Sequence, residues 1–522
     1  MLPTPVSEAL RADLAALITD GRASTDPADR VAYARDLWPR QQIVTRSGIA
    51  APSPPGVVVW PSSAEEVAGI VAFAGERGIP VVPYGAGSGV CGGVLPEPEA
   101  ILLDVKRMRR VIDVDADRLE ARVEAGIIGQ ILEDDLSARG FTLGHFPSSI
   151  YCSTLGGWVA GRSAGQCSGR YGKIEDMVLG LTCVDGRARI LRAEAGGPNA
   201  ALLPLVIGSE GILAVVTEAR LRIAPAPRSR RFASYLFRST ETGLDAIRHI
   251  YQAGLRPAVA RLYDPFDSMM ARRGGVKGRD GGHSAEARHR PEGAYRPGLG
   301  TRLMTRALRT PGALNRLVHG LPDGLWGGAM MVLVWEDDPA IAEVELAEAA
   351  RIARDGGGRD TGEGPARRWF AHRHSVSYRQ SPLIAAGGFV DTMEVASTWS
   401  RLMPMFETVR EALAPHVFVM AHFSHAYPDG ASIYFTFAGS AEDDEATLRK
   451  YDQAWRDALE AVVRAGGTLS HHHGVGRSKA PAMRREQGVA VDVVRALKQV
   501  MDPQGILNPG ALLPPEEGSD AP

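Results

Sequence analysis

Three consecutive histidines, His471, His472 and His473, lie in the run 470–476, and a tyrosine, Tyr434, precedes the first of them by 37 residues in the apolar run 432–437. Imidazole and phenol are side chains that hold and move protons near neutral pH. Arg261, in Ala260-Arg261-Leu262-Tyr263-Asp264, offers a planar fork of donors suited to a phosphate or a carboxylate. Adjacent residues point in different directions, so the three histidines cannot all face one ion, and their spacing fits no zinc rule; no metal site is expected. A loop of partly satisfied histidines is the competing reading.

A second chemistry is written in glycine. Residues 78–96 and 140–161 contain no Asp, Glu, Lys or Arg, and their lengths, 19 and 22 residues, would suit a membrane span. Their Gly, Pro and Ser content refutes that and suggests loops that approach a large cofactor closely. In Pro83-Tyr84-Gly85-Ala86-Gly87-Ser88-Gly89, successive backbone N–H groups can face one phosphate with no Cβ in the way. The spacing is not the dinucleotide GxGxxG that opens a helix. A second group comprises Pro147-Ser148-Ser149, Ser153-Thr154-Leu155-Gly156-Gly157 and Ala160-Gly161-Arg162-Ser163-Ala164-Gly165; a third is Ile207-Gly208-Ser209-Glu210-Gly211-Ile212-Leu213.

The elements that must position these residues follow from the pattern. The apolar run 57–60, a helix opened by a capping box on Ser62 and Glu65 and stopped at Gly78, and a strand at 81–82 form a β-α-β unit. Strands are expected at 101–104, 119–123, 179–184 and 213–223, and a helix at 128–139, before the Pro225-Ala226-Pro227 boundary. Alternating strand and helix runs resume from 228 to 440, and 442–465 and 480–501 read as helices.

The chain of 522 residues, 44% hydrophobic and 23% charged, is ordinary globular protein, which excludes a disordered, collagen-like or coiled-coil chain. A net charge of −2 provides no global field toward nucleic acid, and no nucleic-acid partner is expected. Residues 271–316 depart from that average with 11 Lys/Arg against three acids, read as a solvated insertion or, alternatively, as a lid or a surface facing membrane or phosphate. Four cysteines, Cys91, Cys152, Cys167 and Cys183, lack CxxC pairing, and the N-terminus lacks a secretory pattern. Both point to a reducing, cytoplasmic setting; peripheral membrane contact and a homodimer are left open.

The three glycine constellations, in this order, resemble the FAD-binding domain of the vanillyl-alcohol oxidase and p-cresol methylhydroxylase (PCMH) type of flavoproteins. The resemblance implies an α+β fold: a PCMH-type FAD-binding domain plus an FAD-linked oxidase C-terminal cap domain with an antiparallel sheet. Residues 1–50 read as a helical lead-in from their own pattern, outside the resemblance; beyond them the FAD domain is expected over 51–228, a substrate or cap domain over 229–440, and a C-terminal helical segment, 441–522, completing the active site. Cofactor contacts are implied at Pro83, Tyr84, Gly85, Ala86, Gly87, Ser88, Gly89, Pro147, Ser148, Ser153, Thr154, Gly156, Gly157, Ala160, Arg162, Ser163, Glu210, Gly211 and Ile212. Relatives with covalent FAD carry a histidine in the first glycine loop; residues 83–94 have none, so noncovalent FAD is expected, with Cys152 a buried small residue.

Tyr434, His471, His472, His473 and Arg261 further resemble the alkyldihydroxyacetonephosphate synthases. That implies exchange of the acyl group of acyl-dihydroxyacetone phosphate for a long-chain alcohol through a flavin N5 adduct, in ether lipid synthesis. The tyrosine and histidines would handle protons and Arg261 the phosphate of a small, lipid-like substrate. The alternative is an FAD-dependent oxidoreductase of a D-2-hydroxy acid such as lactate or glycolate, or of another alcohol. Those relatives carry a metal-binding GHxGDGNxH run and a glutamate near the C-terminus; here Tyr434 stands near the second histidine's place and His472 replaces the glutamate. A flavin-free binding protein on the same fold is the reading from another class.

Overall fold

A computed structural model describes residues 8–46, 54–272, 298–319, 326–374 and 381–515. The chain divides into two compact units, Met1–Ala226 with Thr468–Pro522, and Pro227–Gly467. Part of the expected 51–56 linker and residues 273–297 of the basic insertion lie outside the described residues.

In the first unit the wholly buried strand Val57–Val59 leads to the helix Ala64–Arg77, which Gly78 ends in the left-handed conformation. The cap sits one residue later than expected: the Ser63 hydroxyl accepts the N–H of Glu66. Glu65 is exposed, while the Glu66 carboxylate accepts the N–H groups of Ser62 and Thr19, so its burial ties the helix start to the N-terminal lead-in. Strands Val57–Val59 and Val81–Tyr84 flank Ile101–Asp104, both in parallel. An antiparallel sheet follows, in which Ala214–Arg222 pairs with Glu120–Glu124 on one side and Val178–Asp185 on the other. Its core includes Val123, Leu132, Leu155, Trp158 and Leu181.

The C-terminal stretch closes this unit. Val81 donates its N–H to Ile506 O and accepts that of Asn508, both at 2.8 Å, so Leu507 extends the parallel sheet beside the first glycine loop. Lys498 donates to the carbonyls of Ile212 and Leu507 and pairs with buried Asp502. The helical run expected over 480–501 is broken, with helices Met483–Gln487 and Ala490–Met501 separated at Gly488.

The second unit is a seven-stranded antiparallel sheet, ordered Arg359–Asp360, Ser229–Phe237, Ala329–Asp337, Val259–Tyr263, Phe418–Ala426, Gly430–Gly439, Phe389–Thr398. Strand alternation decides which side chains serve the core. Leu262, Phe423 and Phe435 are buried: Leu262 lies against Gly243 of the helix Thr240–Gln252, and both phenylalanines meet Phe406 of the helix Trp399–Leu413. Arg261, Tyr263, His422 and Tyr434 therefore take the opposite face.

The helix Asp444–Arg464 also belongs here, because Tyr451 and Trp455 donate to the buried carboxylate of Asp391. The segment expected over 441–522 is thus divided between the units. Where described, the basic insertion is ordered as helices Leu299–Ala307 and Pro311–His319 rather than a solvated loop.

Candidate active site

The three glycine constellations converge in the first unit. A Cβ on Gly85 would lie 2.3 Å from Thr154 Oγ1, joining the first loop to the second. Gly87 has φ +63, and a Cβ there would lie 2.0 Å from the Tyr84 hydroxyl, so the loop requires glycine for both conformation and space. A Cβ on Gly211 would lie 3.1 Å from Pro83 Cγ, and Glu210 donates its N–H to Ala160 O at 2.9 Å, which brings the third loop against the other two. Among the described residues no acceptor takes the N–H groups of residues 86–89.

The hydroxyls are less free than their number suggests. Ser153 Oγ donates to Ser149 O and accepts from Trp158 Nε1 at 2.8 Å, and Thr154 Oγ1 caps the helix Leu155–Gly161 through Gly157 N. Ser148 Oγ accepts from Gln166, and the Arg162 guanidinium pairs with Glu175. Ser163 Oγ lies 2.7 Å from Nε2 of His145, a fully enclosed imidazole that burial holds down at a pKa of about 3. Gly156 packs on Ala125, and Ile212 is buried. Cys152 is half-buried rather than buried, and all four cysteines are free thiols.

The N-terminal lead-in braces the first loop from behind. Leu37 donates its N–H to Gly89 O at 2.9 Å, Tyr33 donates to Asp104 at 2.6 Å, and Lys106 donates to Gly85 O at 2.8 Å while pairing with Asp104. Asp36 is buried; its carboxyl accepts from Trp38 N, and burial raises its pKa to about 6 against the pull of Trp38 and of the Gly92 and Gly93 amides. None of these contacts was expected, because no local pattern links residues 33–38 to a loop fifty residues on.

The histidine turn is held by the third glycine loop. The Glu210 carboxylate accepts the N–H groups of Val475 and Gly476, and Asn508 Nδ2 donates to Glu210 O and to Gly93 O. Within the turn, Ser470 Oγ donates to Gly474 O and the Nδ1 atoms of His471 and His472 lie 3.0 Å apart. One of those nitrogens must carry a proton and the other accept it. The rings of His472 and His473 meet edge-on at 4.7 Å.

In the second unit, register sets out a polar row. Tyr263 pairs with His422, His422 with Tyr434, and Tyr434 with Glu394, so four side chains share one face across four strands. The rings of His422 and Tyr434 stack at 4.8 Å. Burial pushes the Tyr434 phenol up to about 12, and burial together with Arg261 holds His422 well below its ordinary 6.5, so both are neutral near pH 7. Arg261, two residues before Tyr263, lies 5.1 Å from the Trp369 ring and 5.9 Å from the Tyr263 ring. Its Nε is buried and meets no acceptor among the described residues.

Two carboxyls underlie the row. Asp264 accepts from Asp267 N and Ala421 N, capping the helix Pro265–Arg272 and fixing it to the strand Phe418–Ala426. Asp267 Oδ2 lies 3.4 Å from His422 Nδ1. Burial raises the pKa of both; the charge of Asp267 adds to the rise at Asp264, whereas Arg261 opposes it at Asp267. His425 is engaged by Ser424 and Ser432.

Two families match most of the chain: "FAD binding domain" matches residues 55–194 and "FAD linked oxidases, C-terminal domain" matches residues 226–512. The chain belongs to the FAD-linked oxidase family. It is 28% identical over 495 residues to the alkyldihydroxyacetonephosphate synthase of Trypanosoma brucei brucei, covering 92% of this chain and 76% of that protein. It is 26% identical over 502 residues to the glycolate oxidase subunit GlcD of Bacillus subtilis (strain 168), covering 93% and 92%. A solved structure of an alkyldihydroxyacetonephosphate synthase superposes with a TM-score of 0.75 at 24% identity, covering 98% of this chain and 86% of that one.

This FAD-linked oxidase is accordingly an enzyme with FAD as its cofactor, on the PCMH-type fold. The residues present fit that group. The unengaged N–H groups of 86–89 suit a pyrophosphate approached by backbone rather than by a cation, in a loop that Gly85 and Gly87 let pack closely on Thr154 and Tyr84. Ser153 is the member of the expected cofactor set whose hydroxyl is committed twice within the protein. Sequence reasoning missed Asp36, His145, Asp267 and Glu394. Only Asp267 had a local signal, its position three residues after the capping Asp264.

Proposed function

We propose that this enzyme exchanges the acyl group of acyl-dihydroxyacetone phosphate for a long-chain alcohol, the first ether bond of an ether lipid. The observation that supports the reading is Arg261: a guanidinium whose buried Nε meets no acceptor among the described residues, on the same sheet face as the neutral Tyr434–His422 pair. A phosphate suits that fork. FAD, held noncovalently, supplies the covalent chemistry when bound. Arg261 binds and orients the phosphate, Tyr434 holds a proton on its phenol oxygen, and the His471–His473 turn carries the remaining proton-handling groups. The balance is redox-neutral: the alcohol gives up its hydroxyl proton and forms the new C–O bond, and the acyloxy group leaves as the carboxylic acid.

The likeness to the glycolate oxidase subunit supports a second reading, oxidation of a 2-hydroxy acid, whose carboxylate Arg261 would also pair. Anaerobic incubation separates the two. Release of fatty acid from acyl-dihydroxyacetone phosphate and a long-chain alcohol, with no electron acceptor, supports the exchange. Complete bleaching of the flavin absorbance by lactate, glycolate or 2-hydroxyglutarate, with no fatty acid released, overturns it.

A further inference from the structure

Asp267 lies beside the Arg261 face with no task in the fold. Its neighbour Asp264 is committed to structure, accepting the N–H groups of Asp267 and Ala421. The Asp267 side chain is 20% exposed, and its carboxylate receives no hydrogen bond among the described residues. It approaches Nδ1 of His422, 3.4 Å from Oδ2, a buried nitrogen that also meets no hydrogen-bond partner among the described residues. Nδ1 can meet a carboxyl in two ways, donating to a carboxylate or accepting from a carboxylic acid. The contact therefore allows Asp267 either protonation state, whereas the two amides on Asp264 favour its charged form.

The groups around Asp267 decide what that choice does. Asp264 precedes the helix Pro265–Arg272, the strand Val259–Tyr263 supplies Arg261 and Tyr263, and the strand Phe418–Ala426 supplies His422. The adjoining stretch 329–334 of the strand Ala329–Asp337 is apolar throughout. Arg410 acts on Asp264, and Arg261 is the cation that acts on Asp267. Tyr263 and His422 add no charge near neutral pH: burial pushes the phenol up, and burial with Arg261 holds the imidazole down. With Asp267 ionised, Arg261 is already balanced, and an arriving anion meets a second negative charge where water screens little. With Asp267 protonated, the guanidinium charge is available to the ligand. We infer that Asp267 takes up a proton when a phosphate group is seated at Arg261, and so ties the preference of this face for a phosphorylated substrate to pH. This rests on the proposed seating of the substrate phosphate at Arg261. Affinity is full where Asp267 is already protonated and falls as pH rises through its titration, which burial places above the ordinary carboxylate range.

The test is calorimetric titration of the FAD-loaded full chain with sulfate, a tetrahedral dianion whose charge is constant from about pH 5.5 to about pH 8.5, in two buffers of different ionisation enthalpy at fixed ionic strength. The wild type should take up a proton as sulfate binds, and its affinity should fall about tenfold or more across that range. Asp267→Asn, isosteric and uncharged, should bind at the upper end as tightly as the wild type does at the lower end, without proton uptake; Asp267→Ser repeats the comparison with a smaller side chain. Arg261→Gln should bind about tenfold more weakly or worse at either end. Wild-type binding that is absent, or that is independent of pH with no proton taken up, overturns the inference. So does uptake that persists in Asp267→Asn, which would make His422 or Asp264 the acceptor, and so does sulfate binding unchanged in Arg261→Gln, which would place the anion elsewhere. Sulfate carries no acyl group and no turnover is read, so pH-independent binding that still requires Arg261 removes Asp267 alone and leaves the proposed reaction to its own anaerobic test.

Discussion

Glu210 accepts the N–H of Gly476 at 2.8 Å, joining residues 266 positions apart and fixing the histidine turn to the third glycine loop. The same carboxylate takes the N–H of Val475, while desolvation raises its pKa against those two amides and Lys479. Glu210→Ala leaves both amides without their acceptor, a loss of about 2 kcal/mol or more in stability. Glu210→Gln retains a carbonyl acceptor and should recover part of it. Turnover should fall further in the alanine variant than FAD content does, since the turn and not the loops is released. Thermal melts and flavin-to-protein ratios read both; an alanine variant that melts and turns over as the wild type removes the tether.

Asp36 makes a pH-dependent prediction. Its folded carboxyl has a pKa of about 6 against 3.8 ordinarily, so the native state binds the proton more tightly. That contribution is complete below about pH 4 and is lost as pH rises through about 6, amounting to about 3 kcal/mol at most. Asp36→Asn keeps a carbonyl acceptor without a charge to desolvate, so its stability relative to wild type should rise between pH 4 and pH 7. Asp36→Ala, which gives up the contact to Trp38 N, should instead release FAD more readily at every pH. Denaturant melts across that window and fluorescence of released FAD measure the two effects. A pH-independent difference between Asp36→Asn and wild type would contradict the assignment.

What sequence made legible, and what it did not, follows range of interaction. The glycine loops were readable because a Cβ at Gly85 or Gly87 would strike Thr154 or Tyr84, so the residue type itself records the close approach. Strands such as Ala214–Arg222 and Val178–Asp185 were readable from apolar runs and β-branched content. The helix cap was misread by one residue because Ser62-Ser63 and Glu65-Glu66 offer the same spacing twice, and only burial of Glu66 against Thr19 decides between them. The row Tyr263, His422, Tyr434, Glu394 rests on register between strands far apart in sequence, which no local pattern encodes. Asp36 behind Gly92 and Gly93 is of the same kind.

Tyr434→Phe removes one oxygen from a stacked ring. The stacking on His422 survives, and the phenylalanine fits the same space. FAD content and melting temperature should therefore stay near wild type while turnover falls about 100-fold or more. Because burial holds the phenol pKa up near 12, the wild-type rate should show no limb from this group between pH 6 and 9. Unchanged turnover in the phenylalanine variant would exclude the phenol from the reaction.

Arg261 separates binding from catalysis. Its guanidinium lies near the rings of both Trp369 and Tyr263, and its buried Nε meets no acceptor among the described residues. Lysine keeps the charge and loses the fork and the stacking, so Arg261→Lys should raise KM about tenfold or more with a smaller change in kcat. Arg261→Gln should raise it further, and added inorganic phosphate should inhibit the wild type more strongly than the glutamine variant. Comparable phosphate inhibition of both proteins would show that the anion is held elsewhere. A fall in kcat at unchanged KM would instead assign Arg261 to the transition state and leave substrate recognition to other residues of the face.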